Sequence, residues 1–189
     1  MFCKFLFISL LVYCLTNEHH GGNVIPPCAF SSPDTSVCGI KLRDDSSTRS
    51  VLGIRTELQG DSTHYFYSKN KNQVLGLTIH PGDGENVVSI FEIKYPGKQR
   101  PGHRQIPVDS FTTEKGICLG ITREAVIKLL GRCYTLHSTK TVVTLSYRLD
   151  NGKDSNTKLL ERENMPVYYA TYDFKNDKLT RFEFGFEYP

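Results

Sequence analysis

The chain has 189 residues, 39% hydrophobic and 11% aromatic, and a net charge of +3. That composition is that of a folded globular protein and excludes a disordered one. The charge excess is small and scattered, so no nucleic acid is expected among its partners.

The chain opens with MFCKFLFISLLVYCLTNEHHGG, in which Lys4 precedes an apolar run from Phe5 to Leu15 that only Ser9 interrupts. A membrane-spanning helix needs about 20 apolar residues, roughly twice this run. Residues 1–22 therefore read as a secretory signal peptide cut between Leu15 and Gly22, which predicts a periplasmic or secreted protein. Leu11, Val12 and Cys14 fit a lipid-attachment box, except that Tyr13 stands where a small residue is wanted. A lipid anchor at Cys14 is the alternative, and only through it would the membrane be a partner.

Beyond the signal lie Cys28, Cys38, Cys118 and Cys133. An even cysteine count in an exported chain implies disulfides. Of the three possible connectivities, closeness in sequence favours Cys28 with Cys38 and Cys118 with Cys133. No C-x-x-C pair is present, so no metal is expected.

Residues 23–97 form the first structural unit. A Cys38-Gly39-Ile40-Lys41-Leu42 segment leads through a polar stretch to Val51-Leu52-Gly53, read as a short helical segment. Strands follow at 53–58, 63–69, 73–80 and 87–95, separated by turn residues at Gly60-Asp61, Asn70-Lys71-Asn72 and Pro81-Gly82-Asp83-Gly84. The segment 98–107 lies within YPGKQRPGHRQIP and reads as a linker. Lys94, Lys98, Arg100 and Arg104 make it basic, in keeping with a soluble connector, the alternative being a site for an anionic partner or lipid headgroups.

Residues 108–189 form the second unit. Thr122 is placed to cap a helix, Glu124 suits its positive end, and Ala125, Val126, Leu129 and Leu130 make an apolar stripe. Gly131 suits the left-handed residue that ends it. Strands are expected at 134–138, 141–149, 166–174 and 178–187, with 150–165 as a solvated insertion. Within that insertion Asp150, Asp154 and Glu161 approach a calcium loop, but Gly152 and Ser155 occupy positions that need a ligand and a glycine. Calcium is not expected.

The two units resemble each other. Gly116-Ile117-Cys118-Leu119-Gly120 and the helix ending at Leu129-Leu130-Gly131 parallel the earlier segment about 77 residues upstream. IFEIKYPG likewise parallels the C-terminal RFEFGFEYP. The expected fold class is α+β, two tandem repeats, each a short helical segment on an antiparallel sheet of about four strands.

Gly116, Leu119, Gly120, Thr122, Glu124, Val126, Leu130 and Gly131, together with Tyr172, Phe174, Asn176, Leu179, Phe182 and Phe184, form a pattern that resembles a known superfamily. It is that of the β-lactamase inhibitor protein and the small lipoproteins of the outer-membrane assembly machine. The tandem arrangement is similar to the inhibitor protein. The resemblance implies a helix-plus-sheet fold and a non-catalytic protein-binding role in the bacterial envelope, with an unidentified envelope or extracellular protein as partner. No inhibitory contact residue transfers from it.

Catalytic chemistry is sparse. His64, His80, His103 and His137 are isolated, and nucleophile-elbow, phosphate-loop and dinucleotide motifs are absent. No enzyme activity and no cofactor are expected, a small hydrolase, ligand carrier or structural envelope component being the alternatives. For binding, Asn176-Asp177 reads as a two-residue type I′ hairpin turn. One-to-one pairing from Lys175–Lys178 would put Val167, Tyr169 and Thr171 with Phe182, Phe184 and Phe186 toward the helix. Tyr168, Tyr172, Arg181 and Glu183 would then face solvent as the protein-binding surface.

Overall fold

A computed structural model describes residues 30, 33–53, 57–59, 62–97, 104–150 and 158–188. The signal-like segment 1–22 with Cys14, and Cys28, Lys98, Arg100, His103 and the loop residues Gly152, Asp154 and Ser155, lie outside the described residues.

The fold is α+β with antiparallel sheets. In chain order its elements are β1 (Ser36–Val37), β2 (Ile40–Lys41), α1 (Asp45–Leu52), β3 (Thr63–Tyr67), β4 (Val74–Thr78) and β5 (Ile90–Lys94). They continue with α2 (Arg123–Leu130), β6 (Thr135–Ser138), β7 (Val143–Asp150), α3 (Lys158–Glu163), β8 (Val167–Lys175) and β9 (Lys178–Phe186). Of the strand expected at 53–58, the described residues 53, 57 and 58 are not strand. The insertion expected to be solvated instead holds α3, because Leu160 and, just after it, Met165 enter the core.

Both longer helices are bounded by local chemistry. The Asp44 side chain caps α1 by accepting from Ser47 N, and the Thr122 hydroxyl caps α2 by accepting from Ala125 N. Gly53 and Gly131 end them at φ 91° and 88°, where only a residue without Cβ is at ease. The residues before α2 are held by β9: Gly120 N donates to Leu179 O at 2.8 Å and Leu179 N to Ile121 O at 2.9 Å. That contact seats the helix start on the β8–β9 hairpin.

Strands β3 to β9 make one seven-stranded sheet, ordered β3-β4-β5-β9-β8-β7-β6. The expectation of about four strands per half becomes three from the first and four from the second, joined where β5 pairs with β9. On the inner face Phe66, Leu75, Ile93, Phe182, Tyr172, Leu145 and Leu136 stand side by side across all seven strands. The first six are buried, and they share one core with Val126 and Leu130 of α2. Phe30 joins this core with its ring 5.0 Å from that of Tyr147.

Neither expected disulfide forms, since Cys38 and Cys118 are free thiols. The Cys38 sulfur faces the backbone of Ser110 and Thr112, and burial pushes its pKa up. Cys118 and Cys133 flank opposite ends of α2, whose eight residues span about 12 Å at 1.5 Å each. A disulfide needs Cα atoms within about 7 Å. Cys133 is disulfide-bonded, and its partner lies outside the described residues. Alkylation without reduction should therefore label Cys38 and Cys118 and spare Cys133, as read by peptide mass spectrometry; labelling of Cys133 at the same rate would refute this arrangement.

The helix face makes a second expectation measurable. Leu130 is 1% exposed, whereas Leu129 beside it is 42% exposed. Leu130→Ala should cost about 2–5 kcal/mol in chemical denaturation by leaving a cavity, and Leu129→Ala no more than about 0.5–1 kcal/mol. Equal losses would mean that α2 presents another face to the sheet.

Candidate protein-binding surface

The β8–β9 hairpin decides which side chains reach solvent. Its turn has two residues, with Asn176 and Asp177 both left-handed at φ 49° and 60°, as the sequence pattern suggests. Lys175 pairs with Lys178 and Phe174 with Leu179, but Asp173 pairs with Arg181. Thr180 is the extra residue of a β-bulge, and its hydroxyl donates to the Asp173 carbonyl at 3.0 Å.

One inserted residue reverses the face of every side chain beyond it on β8 relative to β9. Tyr168 and Tyr172 therefore stand opposite Phe186 and Phe182 in the core, each 0% exposed. This corrects their placement on the binding surface. Tyr168 donates its hydroxyl proton to Asp34 O at 2.8 Å, and the Tyr172 ring stacks on Phe182 at 6.0 Å. Arg181 and Glu183 do lie on the open face, and their tyrosine neighbour there is Tyr169.

At the middle of that face β5 meets β9 with Glu92 opposite Glu183 and Lys94 opposite Arg181. Arg181 forks between the two carboxylates, Nε to Glu92 at 2.8 Å and Nη2 to Glu183 at 2.5 Å, and reaches Asp173 at 3.4 Å. Lys94 adds a 2.6 Å bond to Glu92, and Tyr169 donates to Glu183 at 2.7 Å. Burial works to raise the Glu92 pKa, but bonds from Lys94 and Arg181 outweigh it and hold the carboxyl below its ordinary range. Burial and the bond to Glu183 push the Tyr169 phenol up, so it stays a donor.

Lys94 also lies 5.3 Å above the Tyr65 ring, which covers Gly76. The open face thus gathers Tyr65, Tyr169, Arg181, Lys94 and three carboxylates, all half-buried. Reading by residue type missed Tyr65, Glu92, Tyr169 and Asp173 as members of this face and counted Lys94 with the linker. The signal for Glu92 was present, since IFEIK and RFEFG align it with Glu183.

The histidines do not converge. His64 bonds Gln59 O at 3.1 Å and His137 is exposed on β6. His80 is 5% exposed, under the Tyr188 ring, and burial lowers its pKa. Near it Arg43 donates to Asp83 and to Ser89, and the Ser89 hydroxyl donates to Asp83 at 2.9 Å. The serine is buried and its proton points at a carboxylate instead of an imidazole, so no nucleophile–base pair is assembled there. Among the described residues no group of His, Cys, Asp and Glu could hold a metal, and no helix is long and apolar enough to cross a membrane.

No protein-family model matches the chain, and no curated protein or solved structure matches it significantly.

Asp34 is the buried acid of the described residues with the largest upward displacement. Burial, with a smaller push from Glu114, raises its pKa from 3.8 to about 6, although a bond from Thr113 acts the other way. The folded chain then holds this proton more tightly than the unfolded one, so the contribution of Asp34 to stability is fully present below about pH 4 and is lost, by about 3 kcal/mol, as pH rises past 6. Asp34→Asn imitates the protonated acid and should escape that fall: denaturation should find it close to the parent at about pH 4 and about 2–3 kcal/mol more stable at pH 8. Identical pH profiles for the two chains would assign the effect elsewhere.

Proposed function

We propose that the chain is an exported, non-catalytic protein-binding module of the bacterial envelope, built of two helix-plus-sheet repeats, that receives its partner on the open face of the sheet. The observation that carries the reading is the cluster around Arg181. Tyrosine and arginine are the residues that dominate binding energy at protein interfaces, and here they stand at the centre of a sheet with no helix over them among the described residues. The guanidinium is held in one geometry by three carboxylates, so little side-chain freedom is lost on contact. Those carboxylates outnumber Arg181 and Lys94 by one, which favours a partner with a basic contact patch.

The repeat reading is supported by local geometry. Helices α1 and α2 both have eight residues, both begin at a side-chain cap and both end at a left-handed glycine. The segments before them, Gly39-Ile40-Lys41-Leu42-Arg43 and Gly116-Ile117-Cys118-Leu119-Gly120, share buried second and fourth residues and positive φ at the first and fifth. Strands β5 and β9 carry Phe-Glu-Ile and Phe-Glu-Phe and pair about their glutamates. Export rests on the signal-like segment at residues 1–22.

Arg181→Ala would leave Glu92 facing Glu183 without its bridging cation, so it would disturb folding as well as contact. Tyr169→Ala is the cleaner probe. Against a partner recovered from envelope extract with the mature chain, it should weaken binding by roughly ten- to thirtyfold, the 1.4–2 kcal/mol typical of an interface tyrosine. Thermal unfolding on the same variant should change little. Normal binding by Tyr169→Ala and by Tyr65→Ala would remove the open face from consideration.

A further inference from the structure

The two edges of the sheet differ. At β3 the linker pairs with the last residue: Tyr67 N donates to Arg104 O and Ile106 N to Tyr67 O, each at 2.9 Å. At β6 no described segment does the same, and all four residues are exposed. Natural edges are kept very short or are blunted by a proline, a charged side chain, a bulge or a covering loop, and of these devices β6, with four residues, has shortness. Thr135-Leu136-His137-Ser138 contains neither proline nor an acid, lysine or arginine, and it pairs with β7 without a bulge.

The direction of its backbone groups follows from the hairpin. Thr139 N donates to Val142 O at 2.8 Å, so Thr139 sits in a hydrogen-bonded pair with β7. Alternation along an antiparallel ladder then turns His137 and Thr135 inward to β7 and points the N–H and C=O of Leu136 and Ser138 outward. Leu136 is also where the apolar row of the inner face ends. Its neighbour Leu145 is 0% exposed, whereas Leu136 is 53% exposed.

The surroundings of this edge are basic. Arg132 precedes β6 and Lys140 follows it. Past its end, between the β6–β7 and β8–β9 turns, lies a cleft of about 680 Å³ lined by Arg123, Lys140, Lys175 and Asp177. Arg123 is 3.6 Å from Asp177, but no ion pair to Lys140 or Lys175 forms among the described residues. We propose that β6 accepts an extended, acidic segment of a partner protein as an eighth strand. Its backbone bonds Leu136 and Ser138, one apolar side chain continues the inner row beside Leu136, and its terminal carboxylates meet Arg132 at one end and Lys140 and Lys175 at the other. The surface is separate from the open face, and either could operate without the other.

The test uses the mature chain and a blocked peptide of alternating Thr and Val with two Glu at each end, titrated by NMR. Shifts should concentrate on residues 134–142, and affinity should fall as salt is raised. A counterpart with Lys in place of Glu should bind at least about tenfold more weakly, as like charges would then meet. Leu136→Pro removes an outward-pointing N–H, which an edge strand tolerates, together with the leucine side chain, and should weaken the acidic peptide by about tenfold or more with the fold retained, whereas Leu136→Ala, which keeps the N–H, should weaken it less. Should that variant not fold, methylating alternate peptide nitrogens tests the same bonds on the unaltered chain, and should abolish binding. The proposal is overturned if the acidic peptide does not bind, if the Lys peptide binds equally, if the methylated peptide or Leu136→Pro binds as well as its parent, or if β6 proves to be occupied by a second copy of the chain.

Discussion

The register of β5 on β9 is the constraint on which the rest of the structure depends. It sets Glu92 directly across from Glu183, an arrangement that like-charge repulsion disfavours. Arg181 makes the register tenable by lying one pair further along and bonding both carboxylates at once. Each exposed ion pair contributes at most about 1 kcal/mol, yet the alternative is two half-buried, facing anions, which costs more than the pairs contribute. Without this junction the chain would have a three-stranded and a four-stranded sheet, each with an uncovered inner edge. With it, both inner faces line a single core.

Glycine and threonine adapt the two strands to this junction. A Cβ on Gly185 would lie 2.2 Å from the Ser89 carbonyl oxygen, which itself accepts from Phe186 N at 3.0 Å. The close approach of β5 and β9 there therefore requires glycine. On the other side of β9, Thr180 makes the bulge possible because its hydroxyl satisfies the Asp173 carbonyl that the ladder abandons. The bulge in turn delivers Arg181 and Glu183 to the open face while Phe182, Phe184 and Phe186 enter the core. A hairpin paired one-to-one throughout would have placed those phenylalanines on the opposite side of β8 from Tyr168 and Tyr172.

The distribution of polar groups fits this division. Inside, the Tyr147 hydroxyl donates to Gly131 O and that of Tyr168 to Asp34 O, whereas those of Tyr67 and Tyr172 are buried without a hydrogen-bond partner among the described residues. On the open face the Tyr169 hydroxyl finds the Glu183 carboxylate. The same residue type thus serves as a core anchor on one side of β8 and as part of a charged surface on the other, with one position of register separating the two roles.

Sequence by itself determined most of the local elements, though neither α3 nor the absence of strand at 53, 57 and 58. Periodicity and turn chemistry located α2 with its Thr122 cap and Gly131 end, and the strands of the second half to within a residue or two, because those signals arise from neighbours along the chain. The Asn176-Asp177 turn was legible for the same reason. The tertiary structure alone decided the rest. The bulge at Thr180 leaves no mark in composition, and it moved Tyr168 and Tyr172 from the surface to the core and brought Tyr169 out. Closeness in sequence also misassigned the cysteines, since a rigid helix lies between Cys118 and Cys133 and Cys38 turns toward Ser110 and Thr112. The meeting of β5 with β9 joins residues some ninety positions apart, and no local propensity reports which strand edges will find each other.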